Sequence, residues 1–433
     1  MSSRLAGGIA SALLGLAVVG VGVAAIGSAR ADESQDELAA VYWSILCREP
    51  DAEGLRTWTE AGLSAEEARD ALLGSEEGRW VAAVRAEYLS LLGRDPIPGD
   101  CGGLHSWARG SPRLTEIRRA ILENQEYRAS IGPEATVLAR FEPAPRQLPE
   151  DIAAGADGIY ASIWSAEQIW RVGFDGRSSP YAQLPPGRPG MSATVGLHRE
   201  PSGDLFVVYR SGTPEVPSGV YRVPTGGGNA RLYAWTDQAG WPNDLVLDRA
   251  GNVYMTDSVG GAVFQAGPAG GEMERWMQHP LLASDLGACP PAHYASALGA
   301  NGIVLTSAGD LLVANSTKAT VVRVPVNADG SAGTPQLYAG PDCSRLKGAD
   351  GMALDAAGNL YVASNSIHRI VRIAPGGEVT VLESGGLLDF PSALALGSGP
   401  NARRLYVVNF GLLSTLLTGW PSRPAILIKD VAG

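Results

Sequence analysis

The chain has 433 residues, 45% of them hydrophobic and 18% charged, a globular balance in a length that accommodates two domains. Its formal net charge of −11 excludes nucleic acid as the main partner, because phosphate recognition needs an excess of Lys and Arg. Glycine (55) and proline (29) together make about a fifth of the residues, which favours many short strands over long helices.

From Leu5 to Ala29 the chain carries no charge and is rich in Gly, Ala, Val, Leu and Ile. Arg4 precedes this stretch, and Ala29-Arg30-Ala31 follows as a small-x-small cleavage signal. Residues 1–31 are read as a signal peptide cleaved after Ala31, which makes the protein secreted or periplasmic. A retained anchor is the alternative, since the stretch is long enough to span a bilayer. Four cysteines follow, Cys47, Cys101, Cys289 and Cys343. An even count in an exported chain points to two disulfides, and spacing favours Cys47–Cys101 and Cys289–Cys343. There is no C-x-x-C, so a cysteine zinc site is not expected.

Residues 36–131 form a duplicated segment. VYWSILCREPDAEGLRTW recurs as AEYLSLLGRDPIPGDCGGLHSW, with Tyr42, Leu46, Arg48 and Pro50 matching Tyr88, Leu92, Arg94 and Pro96. Apolar residues within each copy follow helical spacing, and Ser64 with Glu67 is a capping-box start. A small helical domain of two repeats is expected, with Trp58 and Trp107 in its core. The copies resemble a helical repeat domain of unassigned function found in exported bacterial proteins, with Cys47 in place of that motif's usual glycine. Attachment to a cell-surface polymer or another protein is the alternative role for these residues.

Residues 135–433 carry a different repeat. Six units, among them WPNDLVLDRAGNVYMTDS and GADGMALDAAGNLYVAS, each read as apolar strand, glycine-containing hairpin, apolar strand. Further strands follow in each unit, so the expected fold is an all-β six-bladed propeller after an all-α repeat domain. The last unit is one strand short, and ATVLARFEP (135–143) is the expected closing strand.

One position in each unit carries the chemistry. Eight residues before the hairpin glycines Gly158, Gly203, Gly251, Gly309 and Gly358 stand Glu150, Val195, Asn243, Asn301 and Asp350, and Ser392 takes the place in the sixth unit. These residues open the innermost strands and are expected to ring one mouth of the central channel. Asn and Asp also start strands simply as turn residues. That explanation does not cover Glu150, nor oxygen donors in four of six units at one level. Two carboxylates and two amides on one axis call for a hard divalent cation, Ca²⁺ above others, and the lack of His or Cys there disfavours zinc. Val195 and Ser392 are expected to leave their side of the ring open. Asp257, Asn315 and Asn409 end second strands nearby, as second-layer residues or as turn caps. His293 lies in an inserted loop between His279 and Ala300, where a lone histidine is usually a surface residue.

With PND at 242–244, the following ANG and ADG, and the early PE at 149–150, the chain resembles the gluconolactonase, senescence-marker-protein and luciferin-regenerating-enzyme family of propellers. The resemblance implies that Glu150, Asn243, Asn301 and Asp350 hold one divalent cation, with Asp350 also acting as base toward water that attacks a lactone or related ester. It further implies that Asn243 positions a small-molecule ester or lactone substrate. Sugar-lactonases of the family often carry an arginine two residues before the PND asparagine. Trp241 stands there in this chain, which points to a flatter or more apolar substrate. A non-catalytic ligand-binding propeller with a structural metal, tethered by the helical domain, is the alternative function.

Overall fold

The computed structural model describes residues 28–92, 95–97, 101–104, 116–117, 120–121, 135–142, 147–164, 166–289, 297–411 and 422–431. The chain divides into two compact units, Met1–Tyr127 and Arg128–Gly433. The signal-peptide reading rests on residues 1–27, outside those described, and Ala31 falls within the first helix. No helix among the described residues is long and apolar enough to cross a membrane.

The first unit contains helices Ser28–Leu46, Ala52–Ala61, Ala65–Gly74 and Glu76–Leu92. Ser64 caps the third helix as a capping box, its hydroxyl accepting the Glu67 N–H. Tyr42, Leu46, Trp58, Leu72 and Val84 are buried, and the Trp58 indole N–H donates to the Tyr42 hydroxyl at 2.7 Å. Arg48 binds both carboxylate oxygens of Glu77 at 2.8 Å, fastening the end of the first helix to the start of the fourth. Cys47 is bonded to Cys101. Trp107 and most of the second copy lie outside the described residues.

The second unit is a six-bladed propeller, each blade a four-stranded antiparallel meander, the first and second extended at the outer edge by the two-residue parallel strands Gly228–Asn229 and Gly271–Glu272. Its hairpins have a local chemical cause. In the third and fifth blades Asp248 and Asp355 accept the N–H groups of Asn252 and Asn359, while Gly251 and Gly358 supply φ of +86° and +85°. One residue past the start of each second strand, or two in the first and sixth blades, stands Tyr160, Phe206, Tyr254, Leu312, Tyr361 or Tyr406, all buried. They fill the wedges between blades.

The ring closes as expected. Thr136–Arg140 is the outer strand of the sixth blade, paired antiparallel with Ala425–Asp430. A buried ion pair holds that seam, with the Lys429 ammonium donating to Glu383 at 2.8 Å and the same carboxylate accepting the Ala135 N–H at 3.1 Å. Cys289 is bonded to Cys343 across a separation of 54 residues, a closure that contributes about 4 kcal/mol in the chain-entropy account.

The innermost strands are Pro149–Gly155, Ala193–Arg199, Pro242–Leu247, Ala300–Leu305, Ala349–Leu354 and Pro391–Leu396. Each contains the same irregularity near its start. In the first blade Pro149 pairs with Ile163 and Ile152 with Ala161, so Glu150 and Asp151 together oppose the single residue Ser162. The shift recurs between Thr194 and Leu197, Pro242 and Leu245, Ala300 and Ile303, Ala349 and Met352, and Pro391 and Leu394. A β-bulge of this kind breaks the strict alternation of side chains and re-aims two consecutive residues.

The second residue of each doublet is Asp151, Gly196, Asp244, Gly302, Gly351 or Ala393. Glycine serves where the neighbouring blade comes close. A Cβ on Gly302 would lie 2.3 Å from the Asp350 carbonyl oxygen and 2.8 Å from the Gly351 Cα. Gly302→Ala is therefore expected to lower unfolding free energy by about 1–3 kcal/mol through overpacking, as a denaturant midpoint will show.

Candidate metal centre

Glu150, Asn243 and Asp350 line one small cavity on the propeller axis, with Asp151 and Asp244 from the same bulges and Gly302, Gly351, Ser392 and Ala393 as its small walls. The cavity has room for about one ion or water molecule. Asn301 is not among its lining residues, although its neighbour Gly302 is. Its amide is nevertheless fixed in a revealing way. The Asn301 Nδ2 donates to Ser316 at 2.8 Å, Ser316 in turn donates to the Ala349 carbonyl at 2.7 Å, and Asn301 Oδ1 is buried without a partner. A buried carbonyl oxygen left unsatisfied calls for an explanation, and a cation is one that suits an oxygen with no donor near it.

Asp350 is held by a residue the sequence did not single out. Asn365, in the short 3₁₀ turn after the second strand of the fifth blade, donates its Nδ2 to Asp350 Oδ2 at 2.7 Å. Ser366 donates to Asn365 Oδ1 at 3.0 Å, which fixes the amide with its N–H side toward the carboxylate. Burial pushes the Asp350 carboxyl up to about 8 in the metal-free site, with the Asn365 hydrogen bond opposing the shift. Burial, then the charges of Asp151, Asp350 and Asp244, raise Glu150 well above the usual carboxylate range.

Asp151 and Asp244 are the second omission. Asp151 accepts the Leu197 N–H at 2.6 Å, and Asp244 accepts that of Ile303 at 2.8 Å, so each pins its blade to the next. Burial pushes Asp244 up to about 6 and Asp151 well above its ordinary value, the Asp244 charge adding to the latter. The two carboxyls interact directly: the contact with Asp151 holds Asp244 down, while the Asp244 charge pushes Asp151 up. Glu150 and Asp350, when ionised, contribute two negative charges that one divalent cation offsets. The residue types Glu-Asp and Asn-Asp, against Val-Gly, Asn-Gly, Asp-Gly and Ser-Ala elsewhere, were the available signal.

Among the described residues no three His, Cys, Asp or Glu side chains form a metal cluster by themselves. An ion at this cavity would draw on Asn243 and Asn301 as well as Glu150 and Asp350. Carboxylate and amide oxygens suit Ca²⁺, which takes six to eight oxygen ligands, so about half would come from water or substrate. The residues present fit the group.

The expected open side is corrected. Val195 and Ser392 are 0% and 3% exposed, and the Ser392 hydroxyl donates to the Glu150 carbonyl, which closes the seam between the sixth and first blades at this level. Asp257, Asn315 and Asn409 pair with Pro242, Ala300 and Pro391, at the end of the blades where the ring residues stand. They act as loop caps there. Asp257 accepts the N–H groups of Gly240 and Trp241 at 2.9 and 2.7 Å, Asn315 donates to the carbonyls of Leu281 and Ala283, and Asn409 accepts the Asp389 N–H. Trp241 is not among the residues that line the cavity. His293 lies outside the described residues.

No curated protein matches the sequence as a relative. Among solved structures, the luciferin-regenerating enzyme is similar with a TM-score of 0.50 at 14% identity, over 70% of this chain and 96% of that one. Regucalcin from Agrobacterium tumefaciens, described as a calcium-binding protein, gives 0.49 at 16% identity, over 69% and 94%. A gluconolactonase from Xanthomonas campestris gives 0.45 at 14% identity, over 70% and 96%. At such identities the likeness speaks to the fold alone. The sequence itself goes further, since residues 165–410, more than half the chain, match the SMP-30/gluconolactonase/LRE-like region. The chain belongs to that family.

Proposed function

We propose that this protein is an exported, Ca²⁺-dependent hydrolase of lactones or related esters. The observation that carries the reading is the donor set at one register of a gluconolactonase-like propeller, where Glu150, Asn243 and Asp350 meet on the axis and Asn301 holds a buried, unpartnered oxygen beside them. Two disulfides support an oxidising compartment.

Glu150, Asn243, Asn301 and Asp350 would hold the cation, which when bound supplies Lewis-acid polarisation of the ester carbonyl and charge stabilisation of its oxyanion. Asn243 orients the carbonyl group at the cavity mouth. Asp350, kept in place by Asn365, accepts a proton from water as the water oxygen forms its bond to the carbonyl carbon. The carbon–oxygen bond to the leaving alkoxide then breaks, and the proton held on Asp350 passes to that alkoxide. Water is consumed, and an acid and an alcohol (a hydroxy acid from a lactone) result. The Asp151–Asp244 pair stays beneath, tying the blades.

Hydrolysis of a panel of lactones, aryl esters and phosphotriesters, with and without EDTA, tests the reading. EDTA-sensitive turnover of a lactone or ester is the expected result. Ligand binding with no turnover across the panel would leave the protein a binding propeller instead.

A further inference from the structure

Above the donor ring the channel mouth has two unlike halves. On the side of blades four and five stand the buried polar residues Asn301, Asp350 and Asn365, and on the side of blades six, one and three stand aromatic rings. Pro149 pairs with Ile163, so Trp164 sits one residue beyond the strand paired with the one that carries Glu150, and Trp241 sits one residue before the strand that carries Asn243. Their rings stack at 5.7 Å and 27° although they come from blades one and three. Phe410, 5.2 Å from Trp164, and Phe390, 6.3 Å from Phe410, are buried with Leu148 and back Trp164 from behind.

The wall is built rather than incidental. Asp257 holds the Trp241 backbone N–H at 2.7 Å. The Trp164 N–H donates to the Leu148 carbonyl at 2.9 Å. Phe390 sits at φ +55°, an unfavourable conformation for a non-glycine residue, and is kept there with its N–H on His368 Nδ1 at 3.0 Å. At the blade-two end of this arc the Arg210 guanidinium lies 4.8 Å from the Trp241 ring centre. One of its nitrogens donates to the Met191 carbonyl, and among the described residues no carboxylate lies within ion-pair distance of it.

We infer that the mouth is a subsite for a planar aromatic group bearing an anionic substituent, so that the preferred substrates are aryl esters or lactones whose aromatic ring carries a free carboxylate. This deepens the hydrolase reading and rests on it for the position of the scissile bond. With the carbonyl over the donor ring, the remainder of the molecule extends across Trp164 and Trp241. Fixed rings favour a planar aromatic partner in offset or edge contact over a flexible chain, which loses rotamer freedom on binding. Arg210 supplies a cation at the arc that, among the described residues, has no carboxylate partner.

The test measures binding separately from turnover. The full chain with Asp350→Asn, loaded with Ca²⁺, is titrated calorimetrically with 4-carboxyphenyl acetate, phenyl acetate and δ-nonalactone. The carboxylated ester is expected to bind about tenfold tighter than phenyl acetate, in line with a hydrogen-bonded charge pair. Arg210→Ala in that background is expected to erase this margin while leaving phenyl acetate binding within twofold. Trp164→Leu, or Trp241→Leu should the first not fold, is expected to weaken both aryl esters and spare the alkyl lactone. Equal affinity for the three probes, or a margin that survives Arg210→Ala, overturns the inference. Should the binding pattern hold while the unsubstituted protein hydrolyses none of the three, the subsite stands and the hydrolase reading fails.

Discussion

Asp350→Asn is expected to lower kcat on any substrate the protein hydrolyses by roughly 10²–10⁴-fold, the usual contribution of a general base. The amide is isosteric and retains an oxygen donor, so Ca²⁺ affinity should fall but not vanish. Asn365 now donates to Asp350 Oδ2; the oxygen of the substituted amide can still accept that bond, so folding should be little disturbed. Steady-state kinetics at saturating Ca²⁺ separate the loss of base from the loss of metal. A variant retaining more than a tenth of the original kcat would remove Asp350 from the proton-transfer role. Asn365→Ala offers a graded companion. It leaves the carboxylate in place without its positioning partner, so a smaller fall in kcat is expected, together with an altered pH profile.

Removing the metal is expected to have the second large effect. A ligand bound only by the folded state, present at 1,000 times its dissociation constant, stabilises by about 4 kcal/mol, and chelation removes that contribution. The loss depends on pH. A carboxyl whose folded pKa exceeds its unfolded value of 3.8 destabilises nothing below 3.8 and does so increasingly as pH rises to the folded value. Burial pushes Asp244 to about 6 and Asp350 to about 8, so the chelated protein should lose stability from about pH 4 to about pH 8. Ca²⁺ competes with the proton on Asp350 and answers the exposed charge. The gain in Tm on adding Ca²⁺ should therefore be larger at pH 8 than at pH 5. Scanning calorimetry at both values measures it, and a chelated protein that grows more stable across this window would contradict the account.

The blade repeat was legible because each unit restates one hydrophobic pattern around a glycine turn, and closure by Thr136–Arg140 followed from a missing strand. The disulfides were legible from spacing. That Glu150, Asn243 and Asp350 share one cavity was legible too, since counting back from a hairpin glycine needs no knowledge of what lies between. Asp151 and Asp244 were not legible, for a definite reason. A strand read with strict alternation sends the residue after Glu150 or Asn243 to the opposite face, whereas the shared bulge turns both residues of each doublet inward. Asn365 was hidden because it lies in a 3₁₀ turn whose direction no strand pattern dictates. The open side expected at Val195 and Ser392 failed because a residue without a strong donor can still fill its place. Val195 joins the core between blades, and Ser392 spends its hydroxyl on the Glu150 carbonyl.

The central claim is that one divalent cation at the Glu150, Asn243, Asn301 and Asp350 register sustains ester hydrolysis. Its most direct test is to strip the full chain of metal and return Ca²⁺ in sub-stoichiometric steps while following hydrolysis of a responsive lactone or aryl ester. The account predicts no turnover in the stripped protein and a linear return that breaks at about one equivalent, with Asn301→Ala requiring a large excess. Undiminished hydrolysis by the stripped protein would place the chemistry away from this ring.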